Sequence, residues 1–93
     1  MLKHVVMLKL REGCDASRCH ELVMDCRRHI PDVLAVSAGL DIMRLPSSFD
    51  YCFTLDFADD QGLRNYEASD FHQLIRREVR RIRTVSHSVD YLE

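Results

Sequence analysis

Residues 3–10, Lys-His-Val-Val-Met-Leu-Lys-Leu, are rich in β-branched and apolar types and predict a first strand. Arg11-Glu12-Gly13 turns the chain, and Asp15 or Ser17 can cap the helix that follows. The apolar positions of that helix are Cys19, Leu22, Val23, Cys26 and Ile30. They recur at i, i+3, i+4, i+7 and i+11, one narrow amphipathic stripe, and Pro31 ends it. Residues 33–43 predict strand two, with Gly39 as a bulge or bend within it. Leu45-Pro46-Ser47-Ser48 is a loop. From Tyr51 to Phe57 the alternation is strict: Tyr51, Phe53, Leu55 and Phe57 share one face of strand three, and Cys52, Thr54 and Asp56 the other. Asp59-Asp60 opens a short helix through Ala68. A further helix starts near Asp70, where Asp70 with Gln73 makes a capping-box pattern. Its stripe is Phe71, Leu74, Ile75, Val79 and Ile82. Residues 84–91 alternate again and predict strand four.

This order is β-α-β-β-α-β, the split ferredoxin-like arrangement of the α+β class. It places the helices on one face of a four-stranded antiparallel sheet, in one domain spanning residues 1–93. The other face then needs an occupant. Strand one carries His4, Val6 and Leu8 on one side but Val5 and Met7 on the other. Helices enough for one face leave the second apolar surface bare. The economical cover is another copy of the chain, so the pattern predicts a homodimer joined through the sheet face.

Composition narrows the function classes. Hydrophobic residues are 46% and charged residues 30% of the 93, which is globular rather than disordered. No apolar run approaches the ~20 residues of a membrane span, and the first segment is too short and too charged for a secretory signal. A net charge of −2 excludes a whole-chain electrostatic footprint for nucleic acid. The arginines at 76–83 have no interleaved aromatics for stacking bases. They read as a solvated helix face, or as a guide for an anionic ligand. Glu78 falls within the apolar stripe of its helix, where its stem can snorkel outward or its carboxylate can orient a histidine. Four cysteines in a chain with a real core read as reduced thiols of a cytoplasmic protein. Cys19, His20, Cys26 and His29 lack zinc-knuckle spacing, so no metal site is expected.

Four segments together resemble the stress-responsive dimeric α/β-barrel (Dabb) family. They are Lys3-His4-Val5-Val6-Met7-Leu8-Lys9, Ile30-Pro31-Asp32-Val33 followed by Gly39, Tyr66 six residues before His72, and Val89-Asp90-Tyr91. Family members often carry Tyr-x-x-His-Pro-x-His at the third segment; here Ser69-Asp70 replaces His-Pro. The resemblance implies a dimeric α+β barrel with a small pocket between helices and sheet. A plant polyketide cyclase that looks similar uses a Tyr/His pair matching Tyr66 and His72, and a histidine matching His4 lines its pocket. The superfamily also contains cofactor-free monooxygenases.

The residues are compatible with that chemistry. His72 lies in the first turn of its helix at the edge of the stripe, where the helix N-terminus disfavours imidazolium and keeps a base neutral. Tyr66 can hold a carbonyl. The implied reaction is an intramolecular aldol-type closure: His72 removes a proton α to a carbonyl and Tyr66 binds the acceptor. Leu22, Val23, Cys26, Phe53 and Leu55 are expected as apolar walls, Val6 and Leu8 as the floor, and His4 as a further ligand contact. No metal or organic cofactor is required, and the chain has no phosphate loop or dinucleotide fingerprint. The opposing reading is a dimer that serves only as a stress or interaction scaffold. Convergence separates the two: Tyr66, His72 and His4 more than ~8 Å apart could not act on one ligand.

Overall fold

The computed structural model describes all of residues 1–93. The chain runs β1 (Leu2–Leu10), α1 (Ser17–His29), β2 (Ala35–Leu40), β3 (Tyr51–Phe57), α2 (Asp60–Ala68), α3 (Asp70–Ile82) and β4 (Arg83–Leu92). The sheet is antiparallel throughout, in the order β2-β3-β1-β4. This is the ferredoxin-like arrangement, with the second helical segment split in two.

β2 is shorter than the apolar run 33–43 predicts. Ile42 and Met43 are apolar but stand in solvent, 87% and 65% exposed. The strand stops because Asp41 folds back: its carboxylate accepts from the Arg44 backbone N–H at 2.7 Å, and Arg44 takes φ 55°. Gly39 is no bulge; it sits in register opposite Cys52. The irregularity lies instead between Lys9 and Leu10, where β1 meets β4.

Register divides the sheet into two unlike faces. His4 pairs with Leu55 and Asp90, Val6 with Phe53 and Ser88, and Leu8 with Tyr51 and Ser86. These side chains point toward the helices. Over β1 and β3 that face is dry: Leu8, Leu55 and Phe57 are fully buried, and α1 seals them with Cys19, Val23 and Cys26. Burial raises the thiol pKa of both cysteines to about 11, so they behave as small core hydrophobes. His20 and His29 turn away from them, His20 to the Tyr51 hydroxyl and His29 to Asp25. The opposite face carries Val5, Met7, Cys52, Thr54 and Val89, with no helix over it.

The starts of α2 and α3 follow local capping chemistry. At α1 the expectation fails: the N-cap is Ala16, which makes no side-chain cap bond, and Asp15, one residue outside, accepts from the Ser17 backbone N–H and hydroxyl instead. Asp59 caps α2 through the Gly62 N–H. The α3 cap is Ser69 rather than Asp70: the Ser69 hydroxyl accepts from the His72 N–H at 3.1 Å. Two cap-competent residues stand side by side here, and only the first has the extended backbone a cap needs, at φ −77°, ψ 153°. Glu78 finds an arginine one turn on: Arg81 Nη2 donates to it at 3.0 Å.

Candidate functional site

The inward side of β4 explains where the molecule opens. Ser86, Ser88 and Asp90 face the helices, so the middle of this strand offers them nothing apolar to pack on. A cavity of about 540 Å³ lies there, bounded by β1, β3 and β4 below and by α2 and α3 above. That volume lies within the ~300–1,000 Å³ of small-molecule sites. Its deep wall is made by His4, Val6, Phe53, Tyr66 and Ile75, all buried. Its rim is exposed and polar, with Arg76, Arg80, Ser86 and Ser88.

Tyr66 is delivered by α2. Gly62, one turn earlier, lets that helix lie on the sheet; a β-carbon there would come within 3.3 Å of Phe57 Cβ. The Tyr66 ring is 1% exposed and packs on Phe57 at 5.6 Å between centroids. Ser69 donates its hydroxyl proton to the Tyr66 carbonyl at 2.7 Å while capping α3, so one serine joins the two helices that carry Tyr66 and His72. Burial, and next the nearby Cys26, pushes the Tyr66 phenol pKa upward, which keeps it protonated as a hydrogen-bond donor.

His72 is half-buried at the cavity edge. Its Nδ1–H donates to the Glu67 carbonyl at 3.0 Å. A carbonyl can only accept, so the neutral ring carries its free lone pair on Nε2. Desolvation holds the His72 pKa below 6.5; the Arg76 and His4 charges lower it further, against the opposing pull of Glu67. The shift favours the neutral ring at physiological pH.

His4 is also buried, and its Nδ1 donates to the Asp90 carboxylate across the β1–β4 pair. The bond fixes the ring's orientation and leaves Nε2 as its other polar edge. Ring centroids lie 4.7 Å apart for Tyr66 and His72, and 6.1 Å apart for Tyr66 and His4. Phenol, neutral imidazole and carboxylate-held imidazole thus meet at one cavity.

The expected contact residues divide. His4, Val6 and Phe53 line the cavity with Tyr66 and His72. Leu8, Leu22, Val23, Cys26 and Leu55 do not: they belong to the closed core under α1. Those five lie away from the opening, which sits beside β4, where the serine face of that strand turns to the helix side. Sequence reasoning left Asp90 without a role beside His4. Pairing the two chain-end strands antiparallel brings residues 4 and 90 opposite each other, a signal present in the alternation itself. No group of three or more His, Cys, Asp or Glu side chains converges as a metal site. No helix is long and apolar enough to cross a membrane.

No curated protein matches the chain. Solved structures share its fold at low identity. A dimeric ferredoxin-like protein of unknown function from Thermobifida fusca superposes with a TM-score of 0.88 at 13% identity, over 99% of this chain and 90% of that one. A hydroxynitrile lyase from Passiflora edulis gives 0.82 at 11% identity, over 99% and 92%. An antibiotic biosynthesis monooxygenase gives 0.79 at 16%, over 100% and 98%. The family model described as the stress responsive A/B barrel domain matches residues 2–93, and the chain belongs to that family, Dabb.

Proposed function

We propose that this protein is a homodimeric small-molecule barrel whose cavity carries out cofactor-independent proton-transfer chemistry, with His72 as the general base. The observation that carries the reading is the meeting of Tyr66, His72 and His4 at one cavity, with centroid separations of 4.7 and 6.1 Å. These fall inside the ~8 Å limit beyond which one ligand could not be shared. A pure scaffold has no need for a desolvated base, a buried phenol and a histidine–carboxylate pair around one opening.

The reaction that fits is closure of a small polyketide-like or aromatic-forming ligand. His72 Nε2 takes the proton from a carbon α to a carbonyl. The resulting enolate carbon bonds to a second carbonyl carbon, whose π electrons move to its oxygen. Tyr66 donates a hydrogen bond to that oxygen as charge builds, and the imidazolium returns the proton to it. Atoms and charge balance with no external oxidant or reductant. The lyase and the monooxygenase of like fold lend support only in that the same architecture houses small-molecule chemistry.

Native mass spectrometry of freshly purified protein tests this first, with bound species released and weighed. The expected mass is twice 10.9 kDa plus an organic adduct. Incubating the released ligand with protein in D₂O should then place deuterium α to its carbonyl, about 10²–10⁴ times faster with the wild type than with His72→Ala. A dimer without adduct, or equal exchange by the variant, favours the scaffold reading.

A further inference from the structure

The cavity's charge is unlike its depth. Arg76 and Arg80 stand one turn apart on α3, and Arg83 follows where the helix passes into β4. All three line the cavity. Most other arginines nearby in sequence or on the surface are spoken for: Arg18, Arg28, Arg44, Arg64 and Arg81 each bridge a carboxylate. None of the cavity arginines does, although aspartates and glutamates outnumber lysines and arginines 15 to 13 in the chain. One acidic side chain, the exposed Glu67, shares the lining, against three guanidinium groups. Below them lie Val6, Phe53, Ile75 and Val79.

Resting on the reading of this cavity as a ligand site, we infer that its ligand is an amphipathic organic anion. An oxyanion group is held at the rim by Arg76, Arg80 and Arg83, and an apolar ring or chain lies on Val6, Phe53, Ile75 and Val79. Guanidinium forks bind carboxylate and phosphate alike, through paired N–H donors. Three unpaired cations at an opening with a low-dielectric floor also draw anions toward it. The rim anchor sets the ligand's orientation. With its charged end among the arginines, its body extends inward past His72 to Tyr66 and His4.

The test uses three probes of like size on the intact protein: 2-naphthoate, 2-naphthyl phosphate and the neutral 2-naphthylmethanol. Binding is followed by calorimetry and by shifts of the His4, Tyr66 and His72 NMR signals. At least one anion should bind about tenfold or more tighter than the alcohol, and which one wins distinguishes carboxylate from phosphate. In the triple variant Arg76→Gln, Arg80→Gln, Arg83→Gln the advantage should fall to about twofold or less, with the alcohol's affinity unchanged. The single variant Arg80→Gln, at an exposed position, serves if the triple variant does not fold. Anions and alcohol binding alike to the wild type would overturn the inference and leave the cavity reading standing. Failure of all three probes to move the site's signals would overturn both.

Discussion

At the scale of single residues, one hydrogen bond decides what His72 can do. Because Glu67 offers a carbonyl, Nδ1 must carry the proton and Nε2 is left basic. Burial then holds the folded pKa below 6.5. The unfolded chain therefore takes up the proton first as pH falls. This residue's contribution to stability is intact above about pH 6.5 and is lost as pH drops from there to the folded pKa. In His72→Gln that part of the acid-side loss should vanish. Urea midpoints measured at about pH 7.5 and pH 5.5 should lie closer together for the variant than for the wild type. An unchanged gap would mean the ring is not desolvated. Turnover should follow the same ionisation: the rate rises with pH to a plateau, with an apparent pKa below 6.5.

Among the elements, β1, β3 and β4 floor the site and α2 and α3 roof it, and Ser69 is the joint between the two helices. Its hydroxyl accepts from the His72 N–H and donates to the Tyr66 carbonyl. Ser69→Ala should cost about 1 kcal/mol by urea unfolding, the usual worth of an N-cap. It should also broaden the NMR signals of Tyr66 and His72, which a loss of stability alone would not single out. The joint was half legible in the sequence. The start of α3 near Asp70 was visible, but Ser69 and Asp70 both suit a cap, and only backbone conformation separates them. The strands were legible where alternation is strict, as in Tyr51–Phe57, since side chains on opposite faces repeat every second residue. β2 read too long because Ile42 and Met43 look like strand residues, while a side-chain turn at Asp41 ends the pairing. The Tyr66, His72 and His4 cluster was legible through the family resemblance. Its walls were not: alternation tells which residues share a face but not which face looks at the helices. Thus Ser86 and Ser88, which make the opening by being small and polar, went unread, and Leu8, Leu55 and Cys26, which fill the core, were expected in their place.

Across the whole molecule, the faces of β4 are inverted relative to an ordinary edge strand. Ser86, Ser88 and Asp90 point at the helices, while Val85, His87, Val89 and Tyr91 point outward. There they join Val5 and Met7 of the central strand, Val89 standing directly opposite Val5. Val89 is 52% exposed and Tyr91 43% in the single chain. Such a surface has a physical reason when a second copy lies on it, sheet against sheet, and two-fold pairing makes each copy the other's cover. The same inversion opens the cavity on the inner side, so one pattern of alternation serves both assembly and site. Val89→Arg separates the two. In the lone chain the new side chain reaches solvent, so folding should be little affected. In a face-to-face dimer it places an unpaired charge in an apolar interface, a loss of several kcal/mol. Sedimentation at micromolar concentration should therefore give the wild type near twice 10.9 kDa and Val89→Arg near the single value. The control is Met24→Arg, which adds the same charge at an exposed position of α1 on the helix layer, and it should stay dimeric. If Val89→Arg remains a dimer while Met24→Arg falls apart, the copies meet through the helices. The apolar outer face of β4 would then lack the occupant inferred for it.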